Sequence, residues 1–164
     1  GALVAGGNVT NFTIAPNNSA VVYSADQDLF GVVELVRVPL TPVAAAQKVN
    51  PNFVAPQSVS AFAITPDTSA AVYLANQAVN TVVQLYRVPF SSLQTSTLLN
   101  APLVTGGNVT SFSVTPNSTL VLYLANQQTV GAVELFAVNV GVPGSSSKLN
   151  GQLVPGGNVT AVTF

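Results

Sequence analysis

The feature that most constrains this chain is internal repetition: one 50-residue unit is written three times in succession, with no slip of register. Phe12, Phe62 and Phe112 stand 50 residues apart, as do Pro16, Pro66 and Pro116; Tyr23, Tyr73 and Tyr123; Leu35, Leu85 and Leu135; and Asn50, Asn100 and Asn150. Each unit opens on a hydrophobic pair, Leu3-Val4, Phe53-Val54 and Leu103-Val104, which appears again as Leu153-Val154 before Phe164. A fixed period of this size marks a repeat architecture, in which a unit too small to bury its own apolar face is completed by its neighbours. The chain therefore divides into repeats at 1–50, 51–100 and 101–150, with a partial fourth at 151–164.

Within a unit the pattern is β throughout. Val9 to Ile14 alternates and is rich in β-branched and aromatic residues; 15 to 18 reads as a turn and Ala20 to Ala25 as a second strand. Residues 26 to 31 form another turn, with equivalents at 76 to 81 and 126 to 131, and Val32 to Val38 a third strand. Pro39 and Pro89 end that strand, because proline has no N–H for the ladder. A short outer fourth strand is expected around Lys48-Val49. The second strand is apolar on both faces: Val21 and Tyr23 lie on one, Ala20 and Val22 on the other. A sheet with one wet side does not need this, whereas a sheet stacked between others does. The expected fold is all-β: tandem four-stranded antiparallel blades, propeller-like and open-ended, with three blades and the first strand of a fourth.

The run from Val109 through Thr115-Pro116-Asn117 to Tyr123-Leu124-Ala125-Asn126, followed by Val133-Glu134-Leu135-Phe136-Ala137-Val138, resembles the TolB-like β-propeller repeat. That family shows a Phe-x-Ile/Val-Ser-Pro-Asp-Gly turn, a Val-Val-Tyr-x-Ala-Asp strand and a Glu-Leu-Tyr/Phe-x-Val strand in each blade. The resemblance covers nearly the whole chain and implies a propeller, in a family that spans periplasmic partners, peptidase-associated domains and large secreted repeats. Two departures stand out. The family's turn glycine is Asn18, Thr68 or Ser118 here, and the usually polar position after the turn is Ala20, Ala70 or Leu120. Both favour outer surfaces covered by neighbours or sugars. Propellers typically close with about 4–8 blades, so three are expected to belong to something larger.

Composition narrows the chemistry. Only 5% of the residues are charged, against 48% hydrophobic, and the net charge is −1 with no clustering along the sequence, so no footprint for nucleic acid or an anionic membrane exists. Apolar runs such as Gly31 to Leu40 are broken by Glu34 and Arg37, which argues against membrane insertion. The absence of His and Cys removes every nucleophile–imidazole and thiolate arrangement, so the chain is not expected to be an enzyme, and no cofactor or metal is implied. Beginning at Gly1, with no methionine anywhere, it is expected to be a processed mature protein or part of a longer one. The close acidic pair Asp26 and Asp28 is matched by Asn76 and Ala78, then Asn126 and Gln128, which fits a turn role. Glu34 and Glu134 align with Gln84 and read as hydrogen-bonding residues at a solvent edge. Gly6-Gly7-Asn8 and its copies at 106 and 156 lack the lysine and helix of a phosphate loop and read as tight links between blades.

Six Asn-x-Ser/Thr sequons, at Asn8, Asn11, Asn17, Asn108, Asn117 and Asn158, are candidate glycan acceptors. In the partial repeat, Val162 and Phe164 correspond to Phe12 and Ile14 and, with Val159, form a candidate assembly strand. Together these features lead to an extracellular or cell-surface structural repeat whose partners are copies of itself, or further repeats of the same polypeptide, and glycans. The alternative is a peptide- or sugar-binding propeller segment of a larger secreted or periplasmic protein.

Overall fold

The computed structural model describes residues 2–40 and 42–161 of the 164. Its strands fall into three sheets. The first holds β1 (Val9–Ile14), β2 (Ala20–Ala25), β3 (Glu34–Pro39) and β4 (Gln47–Lys48). The second holds β5 (Val59–Ile64), β6 (Ala70–Val79), β7 (Val82–Pro89) and β8 (Thr97–Leu98); the third, β9 (Val109–Val114), β10 (Leu120–Ala125), β11 (Glu134–Asn139) and β12 (Ser147–Lys148). Each sheet is an antiparallel meander in chain order, and the described residues include no helix.

The register aligns aromatic residues across the strands. Phe62 faces Tyr73, which faces Tyr86, and Phe112 faces Tyr123, which faces Phe136. Tyr73 and Tyr86 stack with ring centroids 5.5 Å apart, a cross-strand pair that fixes register because a one-residue slip would turn every side chain to the other face. The first hairpin closes through the Asn18 amide to the Ala15 carbonyl at 2.8 Å. Asn18, Thr68 and Ser118, where the propeller repeat has glycine, hold left-handed φ values of 56°, 60° and 60°. Asn tolerates that region, while β-branched Thr68 is strained in it.

Three details differ from the sequence expectation. The third strand starts at Glu34 instead of Val32, because the Val32 amide closes a turn on the Leu29 carbonyl and the Val33 amide donates to Ser58 Oγ of the next unit. In the second unit the expected turn at 76 to 81 is mostly strand, with Val79 pairing Val82; the glycines that bend the other units, Gly31 and Gly131 at φ 78° and 75°, have no counterpart there. In the partial repeat, residues 151–161 contain a turn and no strand, since no described strand lies beside them to form a ladder.

The core lies between the sheets. Ala20, Val22, Leu35 and Val49 of the first unit form one buried cluster with Ala71, Tyr73, Tyr86 and Val88 of the second. Val72, Leu74, Leu85 and Leu99 of the second unit form another with Val121, Tyr123, Phe136 and Val138 of the third. Both faces of β6 are thereby buried from Ala70 to Ala75, as its two-sided hydrophobicity requires. Burying a Leu, Val or Phe side chain in this way contributes about 1.5–3 kcal/mol.

Candidate assembly interface

The two internal junctions are built alike, from an inner edge, a hairpin turn and an outer rim. At the inner edge a side chain of the following unit caps an amide at the head of the preceding third strand: Val33 donates to Ser58 Oγ at 3.1 Å and Val83 to Asn108 Oδ1 at 2.7 Å. At the turns, Asn17 Nδ2 donates to Thr68 Oγ1 at 3.0 Å, and the Asp67 amide to Ser118 Oγ at 2.9 Å. At the rim, the Gln94 amide donates to the Val49 carbonyl at 2.7 Å and the Gly144 amide to the Leu99 carbonyl at 2.9 Å. Gly7 and Gly107 let the lead-in chain run against the end of the second strand of its own unit: a Cβ on Gly7 would stand 2.5 Å from the Asp26 carbonyl oxygen, and one on Gly107 would overlap that of Asn126.

The outermost sheets each present one face that these junctions would cover. On the first sheet Phe12 is 65% exposed, Val21 and Tyr23 are half-buried, and Val9 is 53% exposed where Val59 and Val109 are buried. Asn8, the counterpart of Asn108, accepts no hydrogen bond at Oδ1 among the described residues. On the third sheet Leu120, Leu122 and Leu135 are half-buried, and Leu149 is 51% exposed where Val49 and Leu99 are fully buried. These two faces are unlike each other. Each matches one half of the internal junction in its strand residues, with the inner edge of the third already met by residues 158 and 159 of the same chain.

The partial fourth repeat repeats the inner-edge contact. Asn158 Oδ1 accepts the Val133 amide at 2.7 Å, and the Val159 amide donates to the Val133 carbonyl at 2.9 Å, leaving Val159 half-buried. Val162 and Phe164 lie outside the described residues. Of the other sequons, Asn108 is a junction cap, Asn8 donates Nδ2 to the Gly6 carbonyl, and Asn17 binds Thr68. Asn11 is exposed on β1, and Asn117 is exposed in the third hairpin turn.

Charges that are scattered in sequence are partly gathered in space. Glu34 and Glu134 do not sit at a solvent edge; they are 3% and 2% exposed, because β3 and β11 are interior strands of their sheets. Lys48 bridges Glu34 at 2.9 Å and Asp28 at 2.6 Å, and Glu34 Oε1 also accepts the Phe53 amide at 3.0 Å. Burial works against the Lys48 charge, but hydrogen bonds and attraction from Asp28 and Glu34 prevail and raise its ammonium above the ordinary value. Glu134 pairs with Lys148 beside a cavity of about 310 Å³ lined by Val130, Leu153 and Pro155, and its Oε2 is buried without a partner among the described residues. Asp26 staples its turn by accepting the Asn8 and Gly31 amides, which hold its carboxyl below the usual carboxylate range. Among the described residues no group of three metal-ligating side chains occurs, and no helix is long and apolar enough to cross a membrane.

Two recurring residues gained roles that their spacing alone did not reveal. Asn50, Asn100 and Asn150 accept the amides of Leu35, Leu85 and Leu135 at 2.6–2.8 Å, tying the return segment to the third strand. Gln27 and Gln77 each accept a tyrosine hydroxyl four residues away at 2.6 Å, and Gln127 accepts that of Tyr123. Recurrence at 50 was the signal for both sets.

No protein-family model matches the chain, and no curated protein matches it. Among solved structures, it is similar to a protein assigned as TolB from Agrobacterium tumefaciens, with 18% identity and a TM-score of 0.62 over 87% of this chain and 46% of that one. It is also similar to a puromycin-hydrolyzing peptidase from Mycobacterium tuberculosis, with 12% identity and a TM-score of 0.54 over 83% of this chain and 22% of the peptidase. The chain thus spans less than half of either. These likenesses establish its fold: an unclosed array of three four-stranded antiparallel blades of the TolB-like β-propeller type.

Proposed function

We propose that this chain is a non-catalytic structural repeat, extracellular or at the cell surface, that assembles head to tail by stacking the third blade of one copy on the first blade of the next, whose lead-in segment takes the inner-edge place held by residues 158 and 159. The observation that carries this reading is the pair of unlike apolar faces, each of which has a covered counterpart inside the same chain. A contact between two different faces is heterologous; it closes into a ring or continues as a filament according to the rotation per copy. With apolar burial as the driving force and few exposed ion pairs, the assembly is expected to persist at about 1 M salt, where charge attractions are screened beyond roughly 3 Å.

The test uses one charged substitution at each end. Phe12→Lys and Leu122→Lys should each stop growth as measured by sedimentation, while an equimolar mixture of the two should yield dimers and nothing longer, since each retains one working face. A wild-type chain that stays monomeric at every concentration would refute the proposal. The cavity beside Glu134 favours a second reading, a propeller segment that holds a small hydrogen-bond-donating ligand, for which Glu134→Gln should weaken binding without altering assembly.

A further inference from the structure

We infer that Asn117 is an N-glycan acceptor and that a sugar attached there caps the stack at the third blade; the capping half rests on the stacking proposed above. N-glycosylation needs an amide nitrogen that is free, exposed and carried on backbone a transferase can enclose. Five of the six sequons fail this. Asn8, Asn108 and Asn158 donate Nδ2 to the carbonyls of Gly6, Gly106 and Gly156 at 2.8, 3.3 and 3.2 Å, and the last two also hold junction amides on Oδ1. Asn17 has given its nitrogen to Thr68 of the next blade. Asn11 sits within the β1 ladder and lines the cleft toward Phe62 of the second blade.

Asn117 is different in each respect. It is exposed at the hairpin turn before Ser118, and Nδ2 has no partner among the described residues. Its Oδ1 accepts the Thr119 amide at 3.2 Å and the hydroxyls of Thr119 and Thr115, both at 2.8 Å. A backbone amide can only donate, so this contact fixes which end of the side-chain amide is oxygen and turns the nitrogen outward. The Thr119 hydroxyl and amide on the oxygen also draw electron density from the nitrogen and make its proton easier to lose. Nδ2 then displaces the diphosphate from C1 of a lipid-linked sugar: the N–C1 bond forms, the C1–O bond breaks with its electron pair leaving on the diphosphate, and the Nδ2 proton passes to base.

The same nitrogen is the stacking donor. Asn17, its counterpart in the first blade, spends Nδ2 on the turn of the following blade, so a sugar on Asn117 fills the place where the turn of the next copy, at Asn18, would dock. Incubating the folded chain with an oligosaccharyltransferase and a lipid-diphosphate-linked oligosaccharide, followed by peptide mass spectrometry, should show Asn117 modified roughly five- to tenfold more than Asn17, the factor that goes with surrendering one net hydrogen bond. Thr119→Ala should abolish that modification. Sedimentation of the modified chain should show only short species, while Thr119→Ala, which keeps the Asn117 donor but cannot be modified, should polymerise when treated identically. An unmodified Asn117, or preference for another sequon, overturns the site. Modified chains that polymerise undiminished overturn the cap. If unmodified chains never polymerise, the stacking reading falls while a modified Asn117 still stands.

Discussion

Truncating the central tyrosine to alanine in each blade measures directly how much the sandwiching of sheets contributes. Tyr73 is fully buried, stacked on Tyr86 and hydrogen-bonded to Gln77 Oε1 at 2.6 Å. An aromatic side chain buries about 150–250 Å², which at roughly 25 cal/mol per Å² corresponds to about 4–6 kcal/mol as an upper bound. Measured aromatic truncations in cores cost about 3–5 kcal/mol, and that is the expected loss for Tyr73→Ala. Tyr73→Phe removes only the hydroxyl and strands the Gln77 oxygen, for about 1 kcal/mol. Tyr23 occupies the same register but is half-buried, because no described blade covers its face, so Tyr23→Ala should cost roughly 2 kcal/mol in dilute chains. Urea titration followed by circular dichroism gives these values. Under conditions that favour assembly, the Tyr23 penalty should climb toward the Tyr73 value. A Tyr73→Ala loss below about 1 kcal/mol, or equal losses at 23 and 73 in dilute solution, would refute the stacked-sheet account.

Acid should erode stability through Asp26, held low by the Asn8 and Gly31 amides, and Asp67, held low by the Thr65 hydroxyl, the Ser69 amide and hydroxyl and Ser118. Both folded-state values lie below the unfolded value of about 3.9, so this stabilisation is complete above that pH and is lost as pH falls through the folded values. Asp26→Asn, which copies the Asn76 staple on the Ser58 amide, should flatten part of that decline in urea midpoint against pH. Gly107→Ala should destabilise by about 1–3 kcal/mol in the same titration, since its Cβ overlaps the Asn126 carbonyl and no flexible side chain can yield. Thr68→Asn should raise the midpoint by about 0.5–1 kcal/mol by relieving left-handed strain, while keeping an acceptor for Asn17; an unchanged or lowered midpoint would show that the turn is not strained.

The architecture was legible because repetition and alternation are local signals. Phe12, Tyr23 and Leu35 mark β1, β2 and β3 by period and by residue type, with no knowledge of partners. What stayed hidden depends on proximity between distant residues. Asp28, Glu34 and Lys48 look scattered along the chain, yet β3 and β4 lie side by side and bring them into contact. The start of the third strand depends on a distant residue in the same way: Val33 has the composition of a strand residue, but its amide goes to another blade. The spacing of Asn17 and Asn117 marks both as turn positions, and only the contact of the Asn17 nitrogen with Thr68 of another blade tells them apart.

The uncovered faces also bear on what a repeat array needs at its boundaries. In stacked repeats each unit draws stability from its neighbours, and solubility ordinarily requires boundary units with a polar outer face. Here the outer face of the first blade carries Phe12, Ile14, Val21 and Tyr23, no more polar than the equivalent Phe62, Ile64, Ala71 and Tyr73 inside. The outer face of the third carries Leu120, Leu122 and Leu135, larger apolar groups than the internal Ala70, Val72 and Leu85 taken together. With 5% charged residues there is no reserve of lysine or glutamate to guard these edges, the device by which sheet proteins usually prevent adventitious pairing. A chain composed in this way gains by having each face met by another blade. The turn that would meet that blade carries Asn117, so a sugar attached there, as proposed above, would decide whether the stack grows.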